Sequence, residues 1–374
     1  MAKVLITGAS GFIGWHLAEA LLACGDEVAC LVRKTSRVDR LRTLGVRLAY
    51  GDVTDPDSLP AAIADCRTVY HVAGCTHALH SRRFYEVNQQ GTRNVARACA
   101  QVSSSPVLVL VSSLAAVGPA PEGRMRIESD PPDPVSHYGR SKRAGERMAA
   151  EFADRVPTTI VRPPIVLGEG DRKGLDMFRL IDRFGVHVVP ALGRERYSVI
   201  HAADLARLLI LAAERGTRLA PGGLDAPAPR KGTYFAACNE HPTYAELGRM
   251  IAVALGRRRV AIVPTPPRAA WVVAAANELV SRLSRRSRYL NFDKTREIRA
   301  GSWLCSPQAA VDELEFSVAA SLAQRLNQTV QWYRREGWLR AARAAEPSEV
   351  ETVRPFDEAT TGRLPKDTAT GSRT

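Results

Sequence analysis

The stretch "KVLITGASGFIG", residues 3–14, decides the fold class, because an apolar run of strand character leads through glycines directly into a helical pattern. Gly8 permits a tight turn, Gly11 lets phosphates approach the backbone, and Gly14 lets the helix pack on the strand. The free N–H groups at the start of a helix attract anions. We therefore predict a dinucleotide site here. The alternative is a turn that needs glycine only for its backbone conformation and binds no ligand. The predicted site consists of Gly8, Ser10, Gly11, Phe12, Ile13 and Gly14.

The same alternation of strand and helix continues through the first half of the chain. Apolar runs "VACLV", "VRLAY", "TVYHVA" and "VLVLVS" are separated by helical patterns such as residues 58–64 and 85–101. Apolar strands separated by helices are typical of a parallel sheet covered on both faces. With right-handed crossovers the sheet is doubly wound. The sequence predicts an α/β fold, a Rossmann-type doubly wound parallel sheet with a smaller, mostly C-terminal α/β substrate domain.

The pattern also predicts a division of the chain. Residues 1–165 form the dinucleotide-binding domain, and residues 197–215, a strand turning into a helix, return to it. Residues 166–196 and 216–340 form the smaller substrate-binding region. Residues 345–374 lack apolar periodicity, so we predict a disordered tail.

The composition narrows the class of protein. The chain has 374 residues, of which 45% are hydrophobic and 24% charged, values typical of a soluble globular protein. The formal net charge is +13, which fits either a solvated basic surface or an anionic partner such as a nucleotide or an acidic lipid surface. We find no nucleic-acid-binding module and expect no nucleic-acid partner. Seven cysteines without a C-x-x-C pair, and no signal peptide, predict a cytoplasmic protein without a metal site.

The residues at the ends of the second and third predicted strands indicate which dinucleotide the site binds and where its adenine lies. A carboxylate at the end of the second strand would bind a ribose 2′-hydroxyl, but Val32 stands there and is followed by Arg33 and Lys34. Two cations suit a 2′-phosphate, so we favour NADP, with NAD as the alternative. After the third strand, Asp52 is predicted to bind the adenine amino group and Val53 to contact the ring. The alternative for Asp52 is a turn aspartate.

Together these motifs resemble those of an extended short-chain dehydrogenase/reductase of the NAD-dependent epimerase/dehydratase group. The resemblance covers residues 3–215 well and continues weakly to about residue 340. The matching motifs are "TGASGFIG" (7–14), "GDVTDP" (51–56), "HVAG" (71–74), "VNQQGTRN" (87–94), "VSSLAAVG" (111–118), "YGRSK" (138–142) and "RPPIVLGEGD" (162–171). The set is specific for the superfamily and uninformative about the substrate.

The resemblance implies the catalytic residues. Tyr138 is the implied general acid/base, and Lys142, one helical turn later, is implied to favour the phenolate and to hold the nicotinamide ribose. Ser113 is implied to hold the substrate oxygen, with Ser112 as the alternative. Asn88 is implied to support the site through backbone and water contacts, unless it is a buried helix amide.

The resemblance also extends the cofactor site. The residues implied to line the cofactor are Val72, Ala73, Gly74, Pro163, Pro164 and Ile165. His71 and His201 are expected to pack within the fold and to take no part in the chemistry.

Two further features narrow the reaction. Sugar-nucleotide dehydratases carry an acidic pair where this chain has Leu114 and Ala115, so we exclude that elimination. The C-terminal region resembles the 3β-hydroxysteroid dehydrogenase-like and dihydroflavonol reductase-like branches. We predict an NAD(P)-dependent oxidoreductase that interconverts a ketone and a secondary alcohol on a largely apolar, sterol-, lipid- or polyketide-like small molecule. A nucleotide-sugar epimerase or reductase and a non-catalytic NADP-binding regulator are the alternatives.

The segment "AAWVVAAANELV", residues 269–280, is the nearest approach in the chain to an apolar run long enough to span a membrane. It is shorter than the about 20 residues that span a bilayer. Arginines flank it at 257–259 and between 282 and 288, which suits anionic headgroups. Three interpretations of this segment remain: it contacts a membrane surface, it covers an apolar substrate, or it is an ordinary helix packed in the smaller domain. The oligomeric state is also open, with a homodimer among the alternatives.

Overall fold

The computed structural model describes residues 2–190, 194–222, 224, 231–265 and 292–340. Its strands are β1 (Lys3–Thr7), β2 (Glu27–Val32), β3 (Arg47–Tyr50), β4 (Thr68–His71), β5 (Val107–Val111), β6 (Thr158–Arg162), β7 (Ile165–Leu167), β8 (Val186–Pro190), β9 (Val199–His201), β10 (Thr233–Phe235) and β11 (Ala261–Thr265). Seven of them form one sheet in the order β10-β6-β5-β4-β1-β2-β3. Every neighbouring pair in it is parallel.

The helices cover this sheet on both faces. They are α1 (Phe12–Ala23), α2 (Asp39–Thr43), α3 (Pro60–Ile63), α4 (Ser81–Tyr85), α5 (Gly91–Gln101), α6 (His137–Ala150), α7 (Leu175–Phe184), α8 (Ala202–Glu214), α9 (Tyr244–Ala254), α10 (Phe292–Arg299), α11 (Gln308–Leu314) and α12 (Leu322–Arg335). Short 3₁₀ turns lie at Pro56–Ser58 and Leu114–Ala116, and a π-helical turn at Glu86–Gln90. No helix in the described part of the chain is long and apolar enough to cross a membrane.

The alternation of side chains along the strands explains the two layers of the core. In β1, Val4 and Ile6 pack into the cluster under α1 and α8, whereas Leu5 packs into the cluster under α5 and α6. Successive side chains of a strand point to opposite faces, so a strand buried on both sides must be apolar throughout. This is why the central strand β5, VLVLV, reads as an unbroken apolar run.

The structure confirms the predicted α/β fold class. It also contains features that the sequence pattern missed. The single helix expected at 85–101 is three elements, α4, the π-helical turn and α5. Strand β10 adds a seventh strand beside β6, and β7 with β9 and β8 with β11 form two separate two-stranded sheets. The division into two domains stays a prediction, and residues 269–280 and 345–374 lie outside the described residues.

A buried ion pair ties α6 to the sheet. Glu146 of α6 and Arg162 of β6 are both fully buried, with Nε to Oε1 at 2.8 Å and Nη2 to Oε2 at 2.9 Å. Arg143 donates a further bond of 2.9 Å to Oε2. Burial acts to raise the pKa of Glu146, but the two guanidinium groups outweigh it and hold the pKa at about 2. The pair fixes α6 behind the strand ends, because breaking one partner would leave a buried charge uncompensated.

Candidate active site

The glycine loop between β1 and α1 is built as the sequence predicts. Gly8 has a φ of +75°, and a Cβ there would lie 2.6 Å from the backbone nitrogen of Ala73. A Cβ on Gly14 would lie 2.4 Å from the carbonyl oxygen of Gly8. Gly11 begins α1 without a side-chain cap, and the first turn holds no acidic residue. The loop therefore fits an anionic diphosphate, whose charge the helix N-terminus would stabilise.

The ends of β2 and β3 lie beside this loop in the sheet order. Val32 is buried, while Arg33 and Lys34 are exposed, so no carboxylate stands at the end of β2. Asp52 behaves as the turn aspartate that was the alternative, since its Oδ1 accepts bonds of 2.9 Å from both the N–H and the hydroxyl of Thr54. Contact between Asp52 and adenine stays a prediction.

His71 at the end of β4 packs within the fold, as expected. The ring is fully buried, with Nδ1 2.7 Å from the hydroxyl of Thr7 and Nε2 3.1 Å from that of Thr92. Burial lowers the pKa of His71 to about 3, with Lys142 acting in the same direction. A neutral imidazole bonded on both sides links the strand end to α5 and leaves no nitrogen for proton transfer.

Asn88 lies in the π-helical turn and is 1% exposed. Its Oδ1 accepts from the N–H of Cys75 at 2.8 Å, and its Nδ2 donates to the carbonyl of Cys75 at 2.9 Å. Nδ2 also donates to the hydroxyl of Ser141 at 2.9 Å. Asn88 thus holds the loop after β4, which contains Gly74, against α6. Its role in the structure is to position backbone.

Lys142 points from α6 into the strand ends and is 6% exposed. Its Nζ donates to the carbonyl of Val111, the last residue of β5, at 2.7 Å. A Cβ on Gly74 would lie 3.6 Å from the same Nζ and 3.3 Å from Oδ1 of Asn88. Burial lowers the pKa of Lys142 from 10.5 to about 8, and Glu146 partly opposes the shift. The ammonium therefore lies where β4 and β5 end, the edge at which doubly wound sheets bind ligands.

Ser113 and Tyr138 belong to two elements that touch closely. Ser113 precedes the 3₁₀ turn at Leu114–Ala116, and its Oγ accepts a hydrogen bond from the N–H of Ala115 at 3.1 Å. Because Oγ is the acceptor, this bond does not use the hydroxyl proton of Ser113. The first turn of α6 packs onto the same turn, since a Cβ on Gly139 would lie 2.3 Å from the carbonyl oxygen of Ala115. Tyr138 packs against the cluster that contains Leu114 and Ala115.

Ser112, the alternative to Ser113, faces a different environment. It is buried, and its Oγ forms no hydrogen bond of good geometry within the described residues, although the group lies close enough to Glu146 to help lower the pKa of that carboxyl. Ser112 thus faces the ion pair behind the site, and Ser113 is the half-buried hydroxyl at its front.

The remaining predicted residues flank these groups. Val72 and Ala73 follow β4, and the N–H of Ala73 donates to the hydroxyl of Thr7 at 3.2 Å. The carbonyl of Pro163 accepts from the N–H of Leu114 at 2.9 Å, so this carbonyl serves the fold. Pro164 and Ile165 are half-buried.

A cavity of about 450 Å³ opens beyond the strand ends, between the loop after β4 and the elements α7, β8 and α9. The ring of His187 stacks on Tyr244 at 5.0 Å and is held by the carbonyl of Tyr244 at 3.0 Å. Lys173 donates to the hydroxyl of Thr76, and burial lowers the pKa of Lys173. The lining residues are His77, Arg172, Lys173, Asp176, Met177, Leu180, His187, Val188 and Tyr244.

His201 packs as expected, within a buried pair of histidines. Its Nδ1 accepts from the N–H of Ala203 at 3.3 Å, and its Nε2 lies 3.1 Å from Oε2 of Glu169. His16 bonds the carbonyl of Glu169 at 2.8 Å, and burial lowers the pKa of His16 to about 4. The cluster ties α1 and α8 to the loop after β7.

Several residues that support the site were not predicted from the sequence. Arg162 stands in the quoted motif "RPPIVLGEGD", and Glu146 lies one turn after Lys142, yet neither was assigned a role. The cavity residues come from separate elements with no common motif. Among the described residues, no group of three or more histidine, cysteine, aspartate or glutamate side chains is arranged to hold a metal ion.

The chain is similar in sequence and fold to known proteins. The model of the NAD dependent epimerase/dehydratase family matches residues 4–223. "Ceramide reductase" of Caulobacter vibrioides is 31% identical over 341 residues, covering 90% of this chain and 96% of that protein. "Sterol demethylase protein B" of Methylococcus capsulatus is 27% identical over 344 residues, covering 90% and 99%. The UDP-glucose 4-epimerase of Thermus thermophilus, solved with NAD, shares the fold with a TM-score of 0.68 at 23% identity, covering 89% and 99%.

The buried ammonium of Lys142 predicts a stability that depends on pH. Its folded-state pKa of about 8 lies below the ordinary 10.5, so between these values the unfolded chain binds more protons and stability rises with pH. Lys142→Met removes this dependence. The free energy of unfolding of the wild type, without cofactor, should therefore increase relative to that of the variant between pH 8 and 10, measured by urea denaturation. A difference that stays constant or decreases over this range would contradict the prediction.

Proposed function

The chain belongs to the NAD dependent epimerase/dehydratase family, and from that premise we propose that it is an NADP(H)-dependent oxidoreductase acting on a largely apolar ketone or secondary alcohol. Its family and its relatives make it an enzyme that binds a nicotinamide cofactor and a small-molecule substrate. The observation that carries the proposal is the convergence of Ser113, the first turn of α6 and Lys142 at the strand ends. Full-length similarity to a protein named as a reductase supports it.

The proposed roles follow from the surroundings of each group. When bound, the nicotinamide supplies the hydride for reduction or accepts it in oxidation. In the direction of reduction, Tyr138 would give a proton to the carbonyl oxygen, and Ser113 would donate a hydrogen bond to the same oxygen. The positive charge of Lys142 favours the phenolate that Tyr138 becomes. Asn88 keeps the loop after β4 in place through the backbone of Cys75.

An apolar substrate is supported by the surface next to the cavity. Strands β8 and β11 pair so that Val188 stands beside Val263, and these side chains are 41% and 43% exposed. Val186 and Ala261 pair in the same register on the same face. Val188 also lines the cavity. A hydrocarbon chain that leaves the cavity along this face would cover apolar surface that water otherwise contacts.

The two alternatives make different demands on the site. A nucleotide-sugar epimerase has the same fold, which the solved neighbour supports, and it needs an anion site for a nucleotide diphosphate, for which Arg172 and Lys173 of the cavity lining are the candidates. A non-catalytic NADP-binding regulator would not need Ser113, Tyr138 and Lys142 together. The family's dehydratase chemistry lacks its acidic pair, since Leu114 and Ala115 are buried apolar side chains.

A substrate panel tests the proposed function. The purified protein should oxidise NADPH with long-chain or polycyclic ketones and should leave sugar nucleotides unchanged. Tyr138→Phe should lower this turnover at least a hundredfold, because only the proton donor is lost, while the Kd for NADPH, measured by fluorescence titration, stays within a few-fold. Turnover of sugar nucleotides alone would favour the epimerase, and near-normal turnover by the Phe variant would remove Tyr138 from its role.

The choice of NADP is part of the proposal and depends on the loop after β2. The exposed Arg33 and Lys34 follow the buried Val32, and the loop is closed by bonds between the backbone of Arg33 and Ser36 at 2.9 and 3.1 Å. An ordered turn with two cations suits a 2′-phosphate.

Arg33→Asp should therefore raise the Kd for NADPH at least tenfold more than the Kd for NADH, because a phosphate partner becomes a repelling charge. Fluorescence titration with both cofactors gives the ratio. Arg42→Asp makes the same charge change at an exposed position of α2 and should affect both cofactors little and alike. An equal loss of both cofactors in Arg33→Asp would mean that this loop does not bind the 2′-phosphate.

Peripheral membrane contact through residues 269–280 completes the proposal, because a water-insoluble ketone could then enter from the bilayer. The support is the sequence alone, an apolar segment between clusters of arginine. Vesicles that contain anionic lipid should sediment the protein at low salt and release it at high salt, while neutral vesicles should not bind it. Absence of binding to anionic vesicles at low salt would exclude this contact.

A further inference from the structure

The N-terminus of α6 is bound by a carboxylate from a distant part of the chain. Asp293 of α10 accepts from the N–H of His137 at 2.7 Å through Oδ1, and from the N–H of Tyr138 at 3.0 Å through Oδ2. Ser136, the residue before the helix, accepts from the N–H of Gly139 at 2.9 Å. The first three N–H groups of α6 are therefore all bonded, and those of His137 and Tyr138 depend on α10.

A second carboxylate extends this contact. Glu297, one turn after Asp293 on α10, accepts from the hydroxyl of Ser136 at 2.7 Å through Oε1. Its other oxygen accepts from Nζ of Lys294 at 2.7 Å. The carbonyl of Glu297 accepts from the indole N–H of Trp303 at 2.9 Å. Trp303 belongs to the same apolar cluster against which Tyr138 packs.

Helices α9 and α12 each have a capping box at their N-terminus. Thr243 caps α9 together with Glu246, and Ser321 caps α12 together with Gln324, each within three residues. Helix α6 has a local cap of this kind in Ser136, and it has the two remote carboxylates besides. Helix α12 also receives one remote bond, since the N–H of Leu322 donates to Oε1 of Glu240 at 2.7 Å. Helix α6 differs because its remote carboxylate binds two successive N–H groups, one of which belongs to Tyr138.

We propose that Asp293 and Glu297 are positioning residues, which fix the first turn of α6 so that the hydroxyl of Tyr138 stays aligned with Ser113. The proposal rests on the proposed function of Tyr138 as the proton donor. Hydrogen bonds to ionised acceptors are strong and directional. They act on the backbone of the residue whose side chain must meet the substrate oxygen, where a displacement of about 1 Å can cost about a hundredfold in rate.

Asp293→Ala tests the proposal, with Ser321→Ala as the matched control, because each removes a cap from one helix. Both variants should lower Tm to a similar small extent. Asp293→Ala should lower kcat at least tenfold at saturating ketone and NADPH, with the Kd for NADPH within twofold, whereas Ser321→Ala should keep the wild-type kcat. Asp293→Asn retains one acceptor oxygen and should recover part of the lost kcat. Should Asp293→Ala not fold, Glu297→Ala, which removes the acceptor of the Ser136 hydroxyl, gives the same comparison.

Hydrogen exchange of the peptide that contains residues 137–139 separates failure of this proposal from failure of the proposed function. Exchange there should be faster in Asp293→Ala and unchanged in Ser321→Ala. Faster exchange with an unchanged kcat would make Asp293 a cap only and would overturn the positioning role. Unchanged exchange would also overturn it, whatever the turnover. A wild-type protein that reduces no ketone would overturn the proposed function, and with it the catalytic meaning of the contact.

Discussion

Helix α6 lies so close to its neighbours that two of its positions require glycine. A Cβ on Gly139 would lie 2.3 Å from the carbonyl oxygen of Ala115, and one on Gly145 would lie 2.1 Å from the carbonyl oxygen of Asn88. Backbone atoms cannot move aside as the end of a flexible side chain can. The close contact brings the turn after Ser113, the loop held by Asn88 and the helix with Tyr138 together at one edge of the sheet.

The same contact buries two charges of α6 in unequal surroundings. The carboxylate of Glu146 meets two guanidinium groups, and its pKa stays low. The ammonium of Lys142 has the carbonyl of Val111 as its hydrogen-bond acceptor, and its pKa is lowered toward neutrality. A buried charge with one neutral partner costs stability, and such groups are concentrated at functional sites. Under the proposed function, the phenolate of Tyr138 and the ribose hydroxyls of the cofactor would interact with this ammonium.

The fold class could be predicted because it depends on local patterns, whereas the roles of Ser113, Tyr138 and Lys142 are implied by a family resemblance and stay predictions. The alternation of apolar strands and helices gives the sheet, and the glycine loop is confined to residues 8–14. The π-helical turn at Asn88 could not be predicted, since one extra residue in a turn barely changes the apolar period of the flanking helices. Strand β10 has three residues, too few for a pattern. The contact of Asp293 with Tyr138 spans 155 residues and leaves no trace in any local spacing.

The proposed function requires that this site transfer a hydride between NADPH and an apolar ketone in a net reaction. Incubation of the protein with a long-chain ketone and NADPH deuterated on the transferable position of the nicotinamide, followed by mass spectrometry of the product, tests it most directly. The account predicts one deuterium on the carbinol carbon of the alcohol for each NADPH consumed. Inversion of a sugar nucleotide with no consumption of NADPH and no label in any released alcohol would contradict it.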